Sequence, residues 1–137
     1  YAPVVVRGGG FGGGQVRLDA GSSSQFLSGL LLAGLAASGP LEIEVERLTS
    51  KPYVDLTVMA IETFGGRVER DGLRFRVLPG LDPPQEVSVD GDDSSAAYWA
   101  AAAALTGGRV EIDGLNPDSR HGDRGFVDLL VRMGARA

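Results

Sequence analysis

Two stretches of this chain repeat one another. VRLDAGSSSQF at residues 16–26 lines up with VSVDGDDSSAAY at 87–98, so that Asp19 matches Asp90 and the pair Ser23-Ser24 matches Ser94-Ser95. The correspondence continues: VDL at 54–56 recurs at 127–129, and FGGRV at 64–68 is answered by MGARA at 133–137. Self-similarity at this scale means that the chain is assembled from supersecondary units rather than from one continuous layer.

Periodicity gives each unit its elements. Alternation predicts a strand over 15–19, an apolar run a helix over 23–37, and Leu41, Ile43 and Val45 alternating with glutamates a strand over 41–46. A second helix is expected over about 52–64, with Pro52 in its first turn and Gly65-Gly66 as its stop. RVERDGLRFRVLP reads as a hairpin turning at Asp71-Gly72. After the proline-rich link LDPPQE the order restarts, with a strand over 87–89, an alanine-rich helix over 94–105 in which Trp99 is placed at the core or its margin, a strand over 109–113 and a helix over 123–133. The fold class is therefore α/β, βαβαββ followed by βαβα, with one unit over residues 1–85 and a second, incomplete one over 86–137. The first residues lack a methionine and the second unit stops where its closing hairpin belongs, so the expectation is a segment of a longer protein.

Composition narrows the function classes. A length of 137 residues with 43% apolar content supports a packed core, and the longest apolar run, 26–37, is interrupted by Ser28 and Gly34 and is too short to span a bilayer. No basic leader precedes it, so the cytoplasm is the default location. A net charge of −5 with dispersed arginines argues against nucleic acid as a partner, and the absence of cysteine removes thiolate metal sites and disulfides. GGGFGGG at 8–14 lacks the Lys-Ser/Thr of a phosphate loop and is followed by strand alternation; it reads as a turn or linker.

The chemistry-bearing residues gather before the two helices of the first unit. Ser23, Ser24 and Gln25 precede an apolar run, where exposed N–H groups and the positive dipole end favour an anion; the hydroxyls and amide suit a phosphate ester whose neighbouring groups must also be oriented. Serine is equally a favoured helix cap, and that reading stands beside the functional one. The second unit keeps the serines as DDSS but has Ala96 in place of Gln25, so DDSS reads mainly as a cap and Gln25 as the informative difference. LTSKPYVD at 48–55 supplies Ser50 and Tyr53, as caps and packing residues or as partners of Ser23 and Ser24 around one anion. His121 is read as an exposed loop residue with no metal site around it, and Glu42, Glu44 and Glu46 as solvated charges on the outward face of a strand.

Four stretches in order, SSSQFLSGLLLAG, LTSKPYVDLTVMAIETFGG, VDGDDSSAAYWAAAAALTGG and HGDRGFVDLLVRMGA, resemble the 5-enolpyruvylshikimate-3-phosphate (EPSP) synthase family of enolpyruvyl transferases and cover nearly the whole chain. The resemblance implies a two-domain inside-out α/β barrel, each domain built of three βαβαββ units. Residues 1–85 would be the last unit of the substrate-binding domain, and 86–137 the first part of the next unit, returning to the other domain. It implies transfer of the enolpyruvyl group of phosphoenolpyruvate to the 5-hydroxyl of shikimate 3-phosphate, with no cofactor or metal. By matching motif, Ser23, Ser24, Gln25, Ser50 and Tyr53 would bind shikimate 3-phosphate, and Gln25 would also touch phosphoenolpyruvate. The change of the family's QGD to HGD puts His121 in an ordinary loop.

The family's catalytic lysine, arginines and acidic residues match nothing in this segment, so no catalytic residue is assigned and the chain alone is expected to be inactive. Helix faces left without sister units would favour self-association. Two other readings stay open: the related transferase acting on UDP-N-acetylglucosamine, whose motifs at these helix starts differ, and a non-catalytic interaction module.

Overall fold

The computed structural model describes residues 3–137, which fall into two compact units, Tyr1–Gln85 and Glu86–Ala137. The first unit runs β1 (Gly14–Ala20), α1 (Gln25–Gly34), β2 (Leu41–Leu48), α2 (Lys51–Thr63), β3 (Arg67–Asp71) and β4 (Arg74–Leu78). These strands make one mixed sheet in the order β1-β2-β4-β3, with β1 and β2 parallel and β4 antiparallel to both of its neighbours.

Period-two patterning decides the faces of the sheet. Leu41, Ile43 and Val45 of β2 and Phe75 and Val77 of β4 are buried, and they pack with Leu27 and Leu31 of α1 and Val54 and Ile61 of α2. On the opposite face, Gln15 donates to Glu42 at 2.8 Å, Arg17 and Arg74 pair with Glu44 at 3.1 and 3.3 Å, and Arg76 pairs with Glu69 at 3.2 Å. Glu42, Glu44 and Glu69 are thus solvated charges, each opposite a basic or amide partner on a neighbouring strand, while Glu46 is exposed at the register shift and skipped by the pairing. Gly34 lets α1 lie close to the sheet: a Cβ there would stand 2.9 Å from Val77 Cβ.

Some boundaries differ from those read in the sequence. The first helix begins at Gln25 rather than 23 and ends at Gly34 rather than 37, because Leu35, Ala36 and Ala37 donate to carbonyls three residues back in tighter turns. The hairpin loop is Gly72-Leu73, with Asp71 still paired to Arg74; only Gly72 carries a positive φ, of 58°, as the first loop position of a type II′ turn requires.

In the second unit the described residues contain two helices, α3 (Asp93–Thr106) and α4 (Phe126–Arg132), and the strands expected over 87–89 and 109–113 do not form. The flanking segments meet through Gly91 N–H donating to Gly114 C=O at 2.7 Å and Asn116 Nδ2 donating to Asp90 at 2.7 Å, without a ladder. A two-stranded pair is marginal without an apolar layer to cover it, and here Val89 is 89% exposed. Trp99, expected at the core or its margin, is 65% exposed, and Tyr98 and Leu105 of the same helix are also exposed. Only Asp93 and Ala96 of α3 are buried, because alanine surrounds the helix and offers no apolar stripe to a partner. No helix among the described residues is long and apolar enough to cross a membrane.

Candidate functional site

The parallel strands β1 and β2 end side by side, and the chain leaves each of them directly into a helix. Ligand crevices of open α/β sheets lie at this carboxyl edge. A register shift between Leu18 and Asp19 brings Asp19 opposite Arg47, and the two side chains form an ion pair. Asp19 Oδ1 also accepts Gly21 N–H at 2.8 Å, so the same carboxylate shapes the first turn of the serine loop. The Arg47 guanidinium, aided by that backbone N–H, holds the Asp19 carboxyl below its ordinary range. Thr49 N–H donates to Ala20 C=O at 3.2 Å, which joins the two strand-to-helix connections.

Between the starts of α1 and α2 lies an open cleft of about 680 Å³. Ser23, Ser24, Gln25, Ser50 and Tyr53, the five residues singled out by sequence, all line it. Ser22 and Thr49 join them at the loops, Ser28 and Thr57 line it one helical turn further along, and Leu32, Leu56 and Ala60 contribute apolar surface. Every lining side chain is formally neutral at pH 7. Positive potential inside the cleft comes from two converging helix N-termini, and specific donors from hydroxyls and one amide.

The hydrogen bonds show which serine hydroxyls serve as helix caps. Ser24 is the N-cap of α1 and is buried, yet its side chain makes no capping hydrogen bond. Ser50 is the N-cap of α2 and likewise makes none. Its backbone sits at φ 50°, ψ 46°, and it is the one non-glycine with positive φ among the described residues. Ser23 Oγ accepts Gln25 N–H at 3.2 Å, which leaves its own hydroxyl proton available. In the second unit the cap of α3 is Asp92, which accepts Ser94 N–H at 3.0 Å and Ser95 N–H at 3.2 Å. The hydroxyls there are spent on carboxylates, Ser94 on Asp123 and Ser95 on Asp92, both at 2.5 Å. The serine pair that the repeat aligns therefore has opposite fates: its protons go to acids in one unit and face a neutral cleft in the other.

Lys51, although next to Ser50, does not line the cleft; its Nζ bonds Asp55 at 2.5 Å, and Asp55 also receives Arg70 at 2.6 Å. Burial pushes the Asp55 carboxyl up, but Lys51 and Arg70 outweigh it, and the net direction is downward. His121, read as an exposed loop residue, is instead tucked in, its side chain 16% exposed. Its Nδ1 accepts Asp123 N–H at 3.1 Å, so Nε2 carries the proton of the neutral ring and lies 3.8 Å from Asp92. No group of acids and histidines suited to a metal ion occurs among the described residues.

Besides Ser22 and Thr49 at the loops, two polar lining residues were not singled out by the sequence reading, Ser28 and Thr57. Both stand four residues beyond a residue it did choose, Ser24 and Tyr53, and i, i+4 spacing puts them on the same helix face. A serine interrupting an apolar run was the available signal. The cleft can orient an anionic, hydroxylated ligand; it holds no paired acid and base for proton transfer.

The sequence model of EPSP synthase (3-phosphoshikimate 1-carboxyvinyltransferase) matches residues 1–137. A 3-phosphoshikimate 1-carboxyvinyltransferase of Marinomonas sp. is 40% identical over 140 residues, covering 99% of this chain and 33% of the relative. One from Cronobacter sakazakii is 42% identical over 139 residues, covering 98% and 32%. The chain thus spans about a third of the length of these curated relatives. Among solved structures, EPSP synthase from Acinetobacter baumannii superposes with a TM-score of 0.61 at 28% identity, over 93% of this chain and 28% of that one. The chain belongs to the EPSP synthase family, of which it represents a partial segment.

Proposed function

We propose that this chain supplies one wall of the shikimate 3-phosphate site of an enolpyruvyl transferase, the enzyme that moves the enolpyruvyl group of phosphoenolpyruvate onto the 5-hydroxyl of its partner substrate. The observation that carries the reading is the convergence of Ser23, Ser24, Ser50 and Tyr53 on one neutral cleft between two helix starts, with neither N-cap hydroxyl used for capping. In this reading the serine hydroxyls and Tyr53 hold the phosphate, and Gln25 lies against the shikimate ring and reaches phosphoenolpyruvate. Their contribution is positioning: reactants held in near-attack geometry gain roughly 7 to 11 kcal/mol toward the barrier. Addition gives a tetrahedral intermediate, and elimination of inorganic phosphate completes the transfer. The residues that move protons belong to parts of the family's site with no counterpart in this sequence.

Residues 1–85 are assigned as the last βαβαββ unit of the substrate-binding domain of an inside-out barrel, and 86–137 as the start of the unit leading to the other domain. The exposed apolar residues of α3 and α4, among them Trp99, Leu105 and Leu129, favour association of the isolated chain. The cytoplasm is its proposed location.

Titrating the isotope-labelled chain with shikimate 3-phosphate tests the reading. Amide shifts are expected to concentrate at 22–25 and 49–53, with weak affinity because the opposing wall is missing. Shifts produced by UDP-N-acetylglucosamine and not by shikimate 3-phosphate would transfer the proposal to the related enzyme. With both substrates present, no release of inorganic phosphate is expected.

A further inference from the structure

The cleft contains a second tier of hydroxyls whose connections are set by proton counting. Ser28 Oγ and Thr57 Oγ1 lie 2.8 Å apart and bridge α1 to α2. Thr57 Oγ1 also lies 2.9 Å from Tyr53 C=O, to which it donates. A hydroxyl has one proton, so Thr57 must accept from Ser28, and the order runs Ser28 to Thr57 to Tyr53 C=O. Ser28 is tied in turn to the cap of its own helix, its N–H donating to Ser24 C=O at 3.0 Å. Three hydrogen bonds, joined through the covalent frame of Ser28, therefore link Ser24 C=O on one side of the cleft to Tyr53 C=O on the other.

We propose that the Ser28–Thr57 pair is a positioning clasp that sets the separation of the two helix starts, and thereby the span between the Ser23-Ser24 hydroxyls and those of Ser50 and Tyr53. The inference rests on the shikimate 3-phosphate reading above. Apolar packing holds α1 against α2, but it is non-directional and tolerates sliding; a hydrogen bond whose donor and acceptor are assigned has an optimum within a few tenths of an ångström. Both hydroxyls are half-buried, so water competes less for them than for an exposed hydroxyl such as that of Ser50. Ser28 and Thr57 act here through Ser24 and Tyr53, without needing to touch the phosphate.

The test titrates shikimate 3-phosphate into the 137-residue chain and into Ser28→Ala, Thr57→Val, the double variant, and the hydroxyl-preserving Ser28→Thr and Thr57→Ser, with Ser24→Ala as a control for the site. Each hydroxyl deletion is expected to weaken binding about five- to tenfold, the loss of a typical net hydrogen bond. The double variant should be no worse than the single ones, and the two hydroxyl-preserving variants should bind as the parent does. Methyl signals of Leu31 and Val77 report that each variant keeps its core. If Ser24→Ala weakens binding while Ser28→Ala and Thr57→Val leave it unchanged, or if the two deletions add independently, the clasp is refuted and the binding site stands. If the parent chain itself does not bind, or Ser24→Ala changes nothing, both the clasp and the site reading fail. Deletions that unfold the core, with hydroxyl-preserving variants that fold but lose affinity, also refute the clasp.

Discussion

Asp19 and Arg47 face each other across the end of the parallel strand pair, at the place where the β1–β2 register slips by one residue. The pair is exposed, and its consequence is local: Asp19 also accepts Gly21 N–H, two residues before Ser23. Asp19→Ala is expected to speed amide exchange at Gly21 and its neighbours while the melting temperature changes little, since exposed ion pairs stabilise weakly. Asp19→Asn, which keeps an acceptor for Gly21, should retain more of the protection. Unchanged exchange in Asp19→Ala would show that the loop is held by other contacts.

Ser50 combines a left-handed backbone with a hydroxyl that caps nothing, and the two features separate by mutation. Left-handed backbone costs a residue with a Cβ roughly 1 to 2 kcal/mol. Ser50→Gly should therefore be about 1 kcal/mol more stable than Ser50→Ala, while both lose affinity for shikimate 3-phosphate. Denaturant melts and titrations of the same samples check both halves. A Ser50→Gly variant that binds as well as the parent would remove this hydroxyl from the site.

Gly34 faces Val77 at a distance that leaves no room for a methyl group. Gly34→Ala gains about 1 kcal/mol of helix propensity, yet must push α1 off the sheet. The clash should win, giving a net loss of about 1 to 3 kcal/mol by denaturant unfolding. A stabilised Gly34→Ala would mean that the helix can lift without cost.

Asp55 carries the pH dependence most easily assigned. Its folded carboxyl is held below its ordinary value of 3.8 by Lys51 and Arg70 against the opposing effect of burial. The unfolded chain then binds the proton more readily, so the stabilisation is fully present above the unfolded pKa and is lost as pH falls through the lower folded one. Between neutrality and pH 5 the parent and Asp55→Asn should show a constant difference in stability, which narrows below about pH 4. A difference that grows on acidification would reverse the assigned sign.

The elements of the first unit were legible because each rests on a short-range pattern. Leu41, Ile43 and Val45 alternate with glutamates, and a sheet with one buried face permits no other register. The strands at 87–89 and 109–113 were not legible as absent, since a strand exists only through a partner and no local pattern reports whether one is there. Trp99 failed in the same way: its burial depends on what packs beside α3, and the alanine-rich sequence does not say.

For the site, sequence alone determined which side chains could act: serines, a glutamine and a tyrosine set at two helix starts, in an order that identifies the family. Tertiary structure decided what those side chains have left to give. Whether a serine proton serves a cap, a carboxylate or a ligand depends on the acceptors within about 3 Å, and these come from other segments of the chain. Ser94 and Ser95 meet Asp123 and Asp92, while the aligned Ser23 and Ser24 meet a neutral cleft, and only the folding of α1 against α2 brings Ser28 to Thr57 beneath them.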